Sequence, residues 1–351
     1  MTSRRRFFGL LARLPLTGAL ATSASAMTGR HAGPVTDHFD GERFFNPGGS
    51  GPRSFGDFLR WQVSGNRTPW PDRFESPFAD RPPARVQGGE MRVSLVGHAT
   101  FLIQTGGLNI LTDPVWSERA SPVAFAGPKR VNAPGTSFNA LPRIDAVLIT
   151  HNHYDHLDVQ TLARLWRRDR PRLVAPLGNA GIILGGIPDA AVTSVDWSDG
   201  VALKGSVTVV AEPAHHWSAR GIGDRNRMLW ASYVVRGPRR TAYFAGDTGF
   251  GGGRNFEALA ARHPRIDLAL LPIGAYEPRW FMQAQHMNPD DAVRAFGILA
   301  PKRAVGFHWG TFQLTDEGIE APARDLKRAL ARAGIDAARF PAGRPGQVFQ
   351  A

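Results

Sequence analysis

Residues 151–156 read His-Asn-His-Tyr-Asp-His. Three imidazoles and one carboxylate fall in one short stretch. The chain has no cysteine, so any metal site must use histidine nitrogen and carboxylate oxygen. That donor mix suits Zn²⁺ and tolerates iron or manganese. In an extended loop alternate side chains point the same way. His151, His153 and Asp155 would then share one side and His156 the other, facing two adjacent metal positions. Further donors stand in Ala214-His215-His216-Trp217, Gly246-Asp247-Thr248 and His308-Trp309-Gly310, each after an apolar strand-like run. His151, His153, Asp155, His156, one of His215 and His216, Asp247 and His308 together suit two metals sharing one carboxylate. Two such ions activate a shared water and stabilise charge on an oxygen under attack, which is hydrolysis without a side-chain nucleophile.

The elements that would carry these donors are short strands alternating with helices. Residues 144–150 read as a buried strand that delivers the six-residue loop, and 159–168 as the helix after it. Residues 92–96, 100–104 and 109–112 form an antiparallel meander turning at Gly97-His98-Ala99 and Gly106-Gly107. Residues 173–175, 192–195, 207–211, 228–235, 241–245, 266–273 and 303–307 are further strands. Gly237-Pro238-Arg239-Arg240 closes a hairpin. Asn288-Pro289-Asp290-Asp291 is a helix start: a cap, proline at the first position, and acids at the positive end. That helix reaches about residue 299, and 321–333 reads as a basic amphipathic helix. This order fits an α/β sandwich with two mixed β-sheets inside and helices outside.

The N-terminus has a different character. Arg4-Arg5-Arg6-Phe7-Phe8, a moderately apolar stretch and Ala24-Ser25-Ala26 have the order of a twin-arginine signal peptide over residues 1–26. It implies a periplasmic or secreted bacterial product. Residues 27–90, rich in Gly, Pro and Arg, read as an extended N-terminal arm with a short helix around Phe58-Leu59-Arg60-Trp61. Residues 91–351 would be the hydrolase domain. The whole chain of 351 residues carries a formal charge of +12. The four arginines and no acids of residues 1–26 leave 12 − 4 = +8 on the rest. A basic surface favours anionic partners. No aromatic-plus-basic motif points to nucleic acid, and that partner is not expected.

His151-Asn-His-Tyr-Asp-His156 resembles the H-x-H-x-D-H signature of the metallo-β-lactamase superfamily. Leu111-Thr-Asp-Pro-Val115, Arg119-Ala-Ser-Pro122, Gly127-Pro-Lys-Arg130, Phe244-Ala-Gly-Asp-Thr-Gly249, the run from Pro272 to Met282 and Phe307-His-Trp-Gly-Thr-Phe312 resemble its N-acyl-phosphatidylethanolamine phospholipase D family. The similarity spans roughly residues 44–340. It implies a four-layer αββα sandwich with two zinc ions. One ion would take His151, His153 and His216, chosen over His215 because the family ligand directly precedes Trp. The other would take Asp155, His156 and His308, with Asp247 bridging. Two Zn²⁺ against Asp155, Asp247 and hydroxide leave about +1 locally, which attracts a phosphodiester anion. The implied reaction releases N-acylethanolamine and phosphatidate from an anionic phospholipid, with contact to a membrane surface. Lactone or ester hydrolysis is the alternative, and a dimer is open. His286 matches a functional position and is expected to be catalytic, near the metals and touching substrate. Trp280, Phe281 and Met282 could meet acyl chains or pack in the core. Asp113 could orient a ligand histidine, and His98 could support one. His31, His38 and His263 read as surface residues.

Overall fold

The computed structural model describes residues 30–49, 53–221 and 223–351, and the signal-peptide stretch 1–26 lies outside them. Two mixed sheets form the centre. The first has the order β13-β1-β2-β3-β4-β5-β6 and the second β12-β11-β10-β9-β8-β7. In the first, β1 (Met91–Gly97), β2 (Thr100–Thr105) and β3 (Leu108–Thr112) pair antiparallel, as the meander pattern predicts. β4 (Ala146–Leu148), β5 (Arg172–Pro176) and β6 (Val192–Val195) continue it in parallel. In the second, β7 (Gly200–Ala202), β8 (Thr208–Glu212), β9 (Ser232–Arg236) and β10 (Thr241–Phe244) are antiparallel. β11 (Leu268–Pro272) and β12 (Arg303–Phe307) then run parallel to β10.

Alternation along each strand sorts its side chains between two cores. Phe101, Ile103, Leu268, Leu270, Val305 and Phe307 meet between the sheets. Leu102 and Leu111 face outward, onto α2 (Val159–Asp169) and α3 (Ala180–Gly186). Ala269, Leu271 and Ala304 face α4 (Arg254–Arg262), α6 (Pro289–Leu299) and α7 (Ala321–Arg332). Helix, sheet, sheet, helix is the expected αββα order. Each fully buried Leu, Ile or Phe contributes roughly 1.5–3 kcal/mol, so the sheets form a stiff base for the loops at their ends. Asn288 caps α6 as its sequence predicts, accepting from Asp291 N at 2.9 Å with Pro289 in the first turn. β13 (Val348–Gln350), β7, α3 and α4 are not among the elements read from the sequence. β13 and β7 are three-residue edge pieces fixed by pairing with β1 and β8 rather than by their own pattern.

The described residues between 30 and 90 lie along the sandwich and give it large side chains. Phe39 and Phe44 are buried against Leu229 and Trp230. α1 (Phe55–Ser64) opens with a reciprocal cap: Asp57 N donates to Ser54 Oγ (3.1 Å) and Ser54 N to Asp57 Oδ2 (3.0 Å). Its Trp61 stacks on Phe281 at 5.2 Å and donates to Asp316 Oδ2 at 3.0 Å. Phe281, Met282 and Trp61 form one buried cluster, with half-buried Trp280 beside it under Arg60. The apolar triplet of α5 (Arg279–Met282) therefore holds the arm. Phe281 and Met282 are spent on packing with Trp61 instead of lining an open acyl channel, a contact the sequence could not supply because Trp61 lies more than 200 residues away.

Two histidines read as surface residues are interior. His38 is 6% exposed, between Asp37 Oδ1 (2.6 Å) and Asp196 Oδ1 (2.8 Å), and stacks on Trp197 at 4.3 Å. His263 is 5% exposed, between Glu212 Oε1 (2.6 Å) and Arg236 (2.8 Å). Both are buried because a carboxylate across the fold meets the ring, which sequence spacing does not reveal.

Candidate metal centre

The loops that leave the strands at one edge of both sheets converge. β4 runs into Thr150 and His151, β10 into Asp247, β12 into His308, β8 into His215 and His216, and β3 into Asp113. The C-terminal ends of parallel strands from two sheets thus meet, which is where open α/β layers leave a crevice. The turns are tight. His98 (φ 54°), Asp113 (φ 32°) and His308 (φ 64°) all take left-handed backbone conformations, which cost energy for such side chains and are held by the packed sheets. Gly246, at φ 58°, also lies against Thr150: a Cβ there would come within 2.6 Å of Thr150 Cγ2. Only glycine lets the two strand ends approach.

Among the described residues, besides a smaller set of Asp247, His286 and His308, two groups of four donors result, each with its ligand atoms within 4.8 Å of one another: His151, His153, His216 and Asp247; and His98, Asp155, His156 and His308. Asp247 touches both. Its Oδ2 lies 4.0 Å from His151 Nε2, 3.7 Å from His216 Nε2 and 3.3 Å from His156 Nε2, while Oδ1 lies 3.1 Å from His308 Nε2. The ligand loop departs from the extended form expected of it. His156 N and Leu157 N both donate to His153 O, at 3.1 and 2.8 Å. The turn swings Asp155 away from His151 and His153 and over to His156 and His308. Alternation fails because it applies to strands, and this segment turns.

Around the donors a second set of contacts fixes each ring. His156 Nδ1 donates to Asp113 Oδ2 at 2.7 Å, leaving Nε2 for the cluster. Thr150 Oγ1 donates to the same Asp113 oxygen at 2.6 Å and accepts from His151 Nδ1 at 2.9 Å. Asp113 thereby orients one histidine of each group. His216 Nδ1 donates to Gln285 O at 2.9 Å, and its Nε2 faces His153 Nδ1 at 3.3 Å. His215 points elsewhere, to Ala284 O at 2.7 Å. His98 Nε2 contacts Asp155 Oδ2 at 2.8 Å, closer to the cluster than a supporting role at a distance would require. His286 brings a ring nitrogen, Nδ1, to 3.8 Å from Asp247 Oδ2, and that buried nitrogen has no hydrogen-bond partner.

A metal pair fits these residues. Ring nitrogens converge at 2.8 Å (His151 and His153) and 3.2 Å (His156 and His308) beside two buried carboxylates, an arrangement that calls for cations. Charge differs between the groups. Burial holds His151 and His216 well below the usual histidine range and lowers His153 to about 4, so these rings are neutral donors at pH 7. In the second group burial lowers His98 to about 3, whereas at His156 and His308 the Asp247 and Asp155 carboxylates outweigh it. They hold His156 well above its ordinary value and push His308 up to about 9. The carboxylates draw positive charge into that half. Burial lowers His286 to about 4, leaving it neutral.

Two contributors carried no sequence signal. Thr150 is the relay just described. Arg220 donates to Asn152 O and Leu157 O, both at 2.8 Å, and its guanidinium sits 3.8 Å from the Tyr154 ring. It braces both ends of the ligand loop from a separate segment.

A family model described as Beta-lactamase superfamily domain matches residues 108–309. An uncharacterised protein of Mycobacterium tuberculosis is 40% identical over 272 residues, covering 75% of this chain and 69% of its own length. N-acyl-phosphatidylethanolamine-hydrolyzing phospholipase D 1 of Caenorhabditis elegans is 37% identical over 268 residues, covering 73% of this chain and 74% of its own length. Among solved structures, a metallo hydrolase from the archaeon Ignicoccus hospitalis aligns with TM-score 0.56 at 19% identity, covering 75% of this chain and 98% of that one. That last likeness is one of fold.

Proposed function

We propose, from the premise that the chain belongs to the β-lactamase superfamily and, within it, to the N-acyl-phosphatidylethanolamine phospholipase D family, that this metal-dependent hydrolase cleaves a phospholipid phosphodiester at a two-zinc centre. The products would be N-acylethanolamine and phosphatidate. The observation that carries the reading is the pair of donor groups joined by Asp247. His151, His153 and His216 would hold one ion and Asp155, His156 and His308 the other, with Asp247 shared. When bound, such a pair supplies an activated water and neutralises charge on the phosphoryl oxygens. The chain's own residues do the rest. Asp113 and Thr150 keep His156 and His151 in the tautomer that presents Nε2. His286, neutral and with Nδ1 unpartnered, offers a hydrogen bond to a substrate oxygen and a route for a proton to the leaving alcohol. Water adds to phosphorus, the P–O bond to the ethanolamine oxygen breaks, and that oxygen takes the proton.

The test is a substrate screen on protein loaded with zinc, iron or manganese. N-acylethanolamine and phosphatidate released from the diacyl lipid support the reading, and lactone opening with that lipid left intact refutes it. Asp247→Asn should lose one metal equivalent and nearly all activity, and full activity with two bound metals would remove the bridge. Export through the twin-arginine route is a separate inference from residues 1–26. Deleting Arg4-Arg5 should retain the protein in the cytoplasm, and unchanged export would refute it.

A further inference from the structure

Residues 122–127, Pro-Val-Ala-Phe-Ala-Gly, are six consecutive exposed positions without one polar side chain. Phe125 is 83% and Val123 38% exposed. A soluble surface avoids such a run unless something covers it in use. The run is the tip of a hairpin with a fixed stem. Ala120 N donates to Pro128 O (3.0 Å), Arg130 N to Glu118 O (2.9 Å) and Arg119 Nη1 to Gly127 O (2.6 Å). The stem is tied to the metal centre. The Arg130 guanidinium donates to Ser117 O (3.1 Å) and Val115 O (2.9 Å) and lies 5.3 Å from the Phe312 ring, itself 5.2 Å from His98. Between this hairpin and the ligand loop opens a cavity of about 500 Å³, lined by Arg119, Ser121 and Val123 on one side and Tyr154, Leu157 and Arg220 on the other.

We propose that the 122–127 tip inserts into the headgroup and upper acyl region of a phospholipid bilayer, with Arg119 and Lys129 at its base against anionic headgroups. Lys129 is exposed and Arg119 half-buried, and Glu118, 3.0 Å from Lys129, offsets part of their charge. The surplus matches the basic balance of the whole chain, +12. A bilayer fits better than a second protein copy. A stable protein interface takes about 20–30 residues a side, whereas an apolar segment settling about 5–10 Å into the interface needs only a few apolar side chains flanked by basic ones. The catalytic use of this surface rests on the lipid reading above; its affinity for a bilayer does not.

The test is sedimentation of metal-loaded protein with phosphatidylcholine vesicles, with and without phosphatidylglycerol. Phe125 is exposed, so Phe125→Asp should fold normally and hydrolyse a soluble aryl phosphodiester at the wild-type rate. Its vesicle partition should fall about tenfold or more, the loss of one buried aromatic side chain. Arg119→Glu with Lys129→Glu should abolish the preference for phosphatidylglycerol. Wild-type vesicle binding by Phe125→Asp overturns the proposal. So does a change in the oligomeric state of lipid-free protein with vesicle binding unaltered, which would assign the tip to self-association. If the tip controls vesicle binding and no phospholipid is hydrolysed, the surface stands and the lipid-hydrolase reading fails. If wild type and Phe125→Asp bind vesicles equally and hydrolyse the lipid equally, the lipid-hydrolase reading stands and the surface proposal fails.

Discussion

Asp113→Asn isolates how the site prepares its histidines. Asp113 is fully buried and accepts from Thr150 N (2.7 Å), Thr150 Oγ1 (2.6 Å) and His156 Nδ1 (2.7 Å). Asparagine keeps the shape but replaces one acceptor oxygen with an amide donor. If that donor faces Thr150 N, a side-chain amide N–H meets a backbone N–H and one donor stays unpaired. If it faces His156, the ring must release its Nδ1 proton and keep the one on Nε2, the atom 3.4 Å from Asp155 and 3.3 Å from Asp247. A protonated Nε2 is no ligand. The metal-free protein relaxes by losing the Nδ1 proton; metal binding must restore it and remove the one on Nε2. One buried mismatch costs about 1–3 kcal/mol, which at about 1.4 kcal/mol per decade is roughly five- to hundredfold in metal affinity. The loss should reach both ions, because Thr150 links the same carboxylate to His151. Alanine would be the wrong substitution. It orphans three donors at about 1–3 kcal/mol each, comparable to a whole domain's stability of about 5–15 kcal/mol. The assay is metal content after dialysis against graded chelator, with the thermal midpoint of metal-free protein as control. If Asp113→Asn retains both metals across the wild-type chelator range, Asp113 does not set the tautomers.

Three further outcomes follow from the contacts. His216→Ala should lose a metal equivalent while His215→Ala keeps both, because only His216 turns its Nε2 into the cluster; equal metal loss would reverse the assignment. Arg220→Met should let chelator strip metal about 10–100-fold more readily, as loss of an outer support does, and Arg220→Lys should recover part of the loss; stripping at the wild-type rate would mean that the ligand loop holds itself. Trp61→Ala should cost about 3–5 kcal/mol in denaturant unfolding yet leave metal content intact, since Trp61 packs on Phe281 and Met282 without touching a donor. A cost below about 1 kcal/mol would show the arm to be marginal to the core.

The chain's chemistry was readable because it is written locally. A ligand-dense loop after an apolar run, an Asp or His after other such runs, and an Asn-Pro-Asp-Asp helix start each carry their signal within a few residues. The two-sheet order followed from strands and helices whose periods are local as well. Strand ends too short to show a period, such as β7 and β13, escaped for the same reason. So did contacts that join distant segments. His98 meets Asp155 from 57 positions away, Arg220 reaches Leu157 from 63, and Trp61 reaches Asp316 from 255.

The sequence by itself determined the donor types, the absence of thiolate and the strand ends that carry the ligands. Tertiary structure alone decided how the donors divide. The turn at His153 passes Asp155 to the second group, the backbone after β8 faces His216 inward and His215 outward, and Asp113 reaches a histidine of each group. Those assignments depend on where two packed sheets place their edges, and no short-range pattern encodes a distance between strands that meet only after folding.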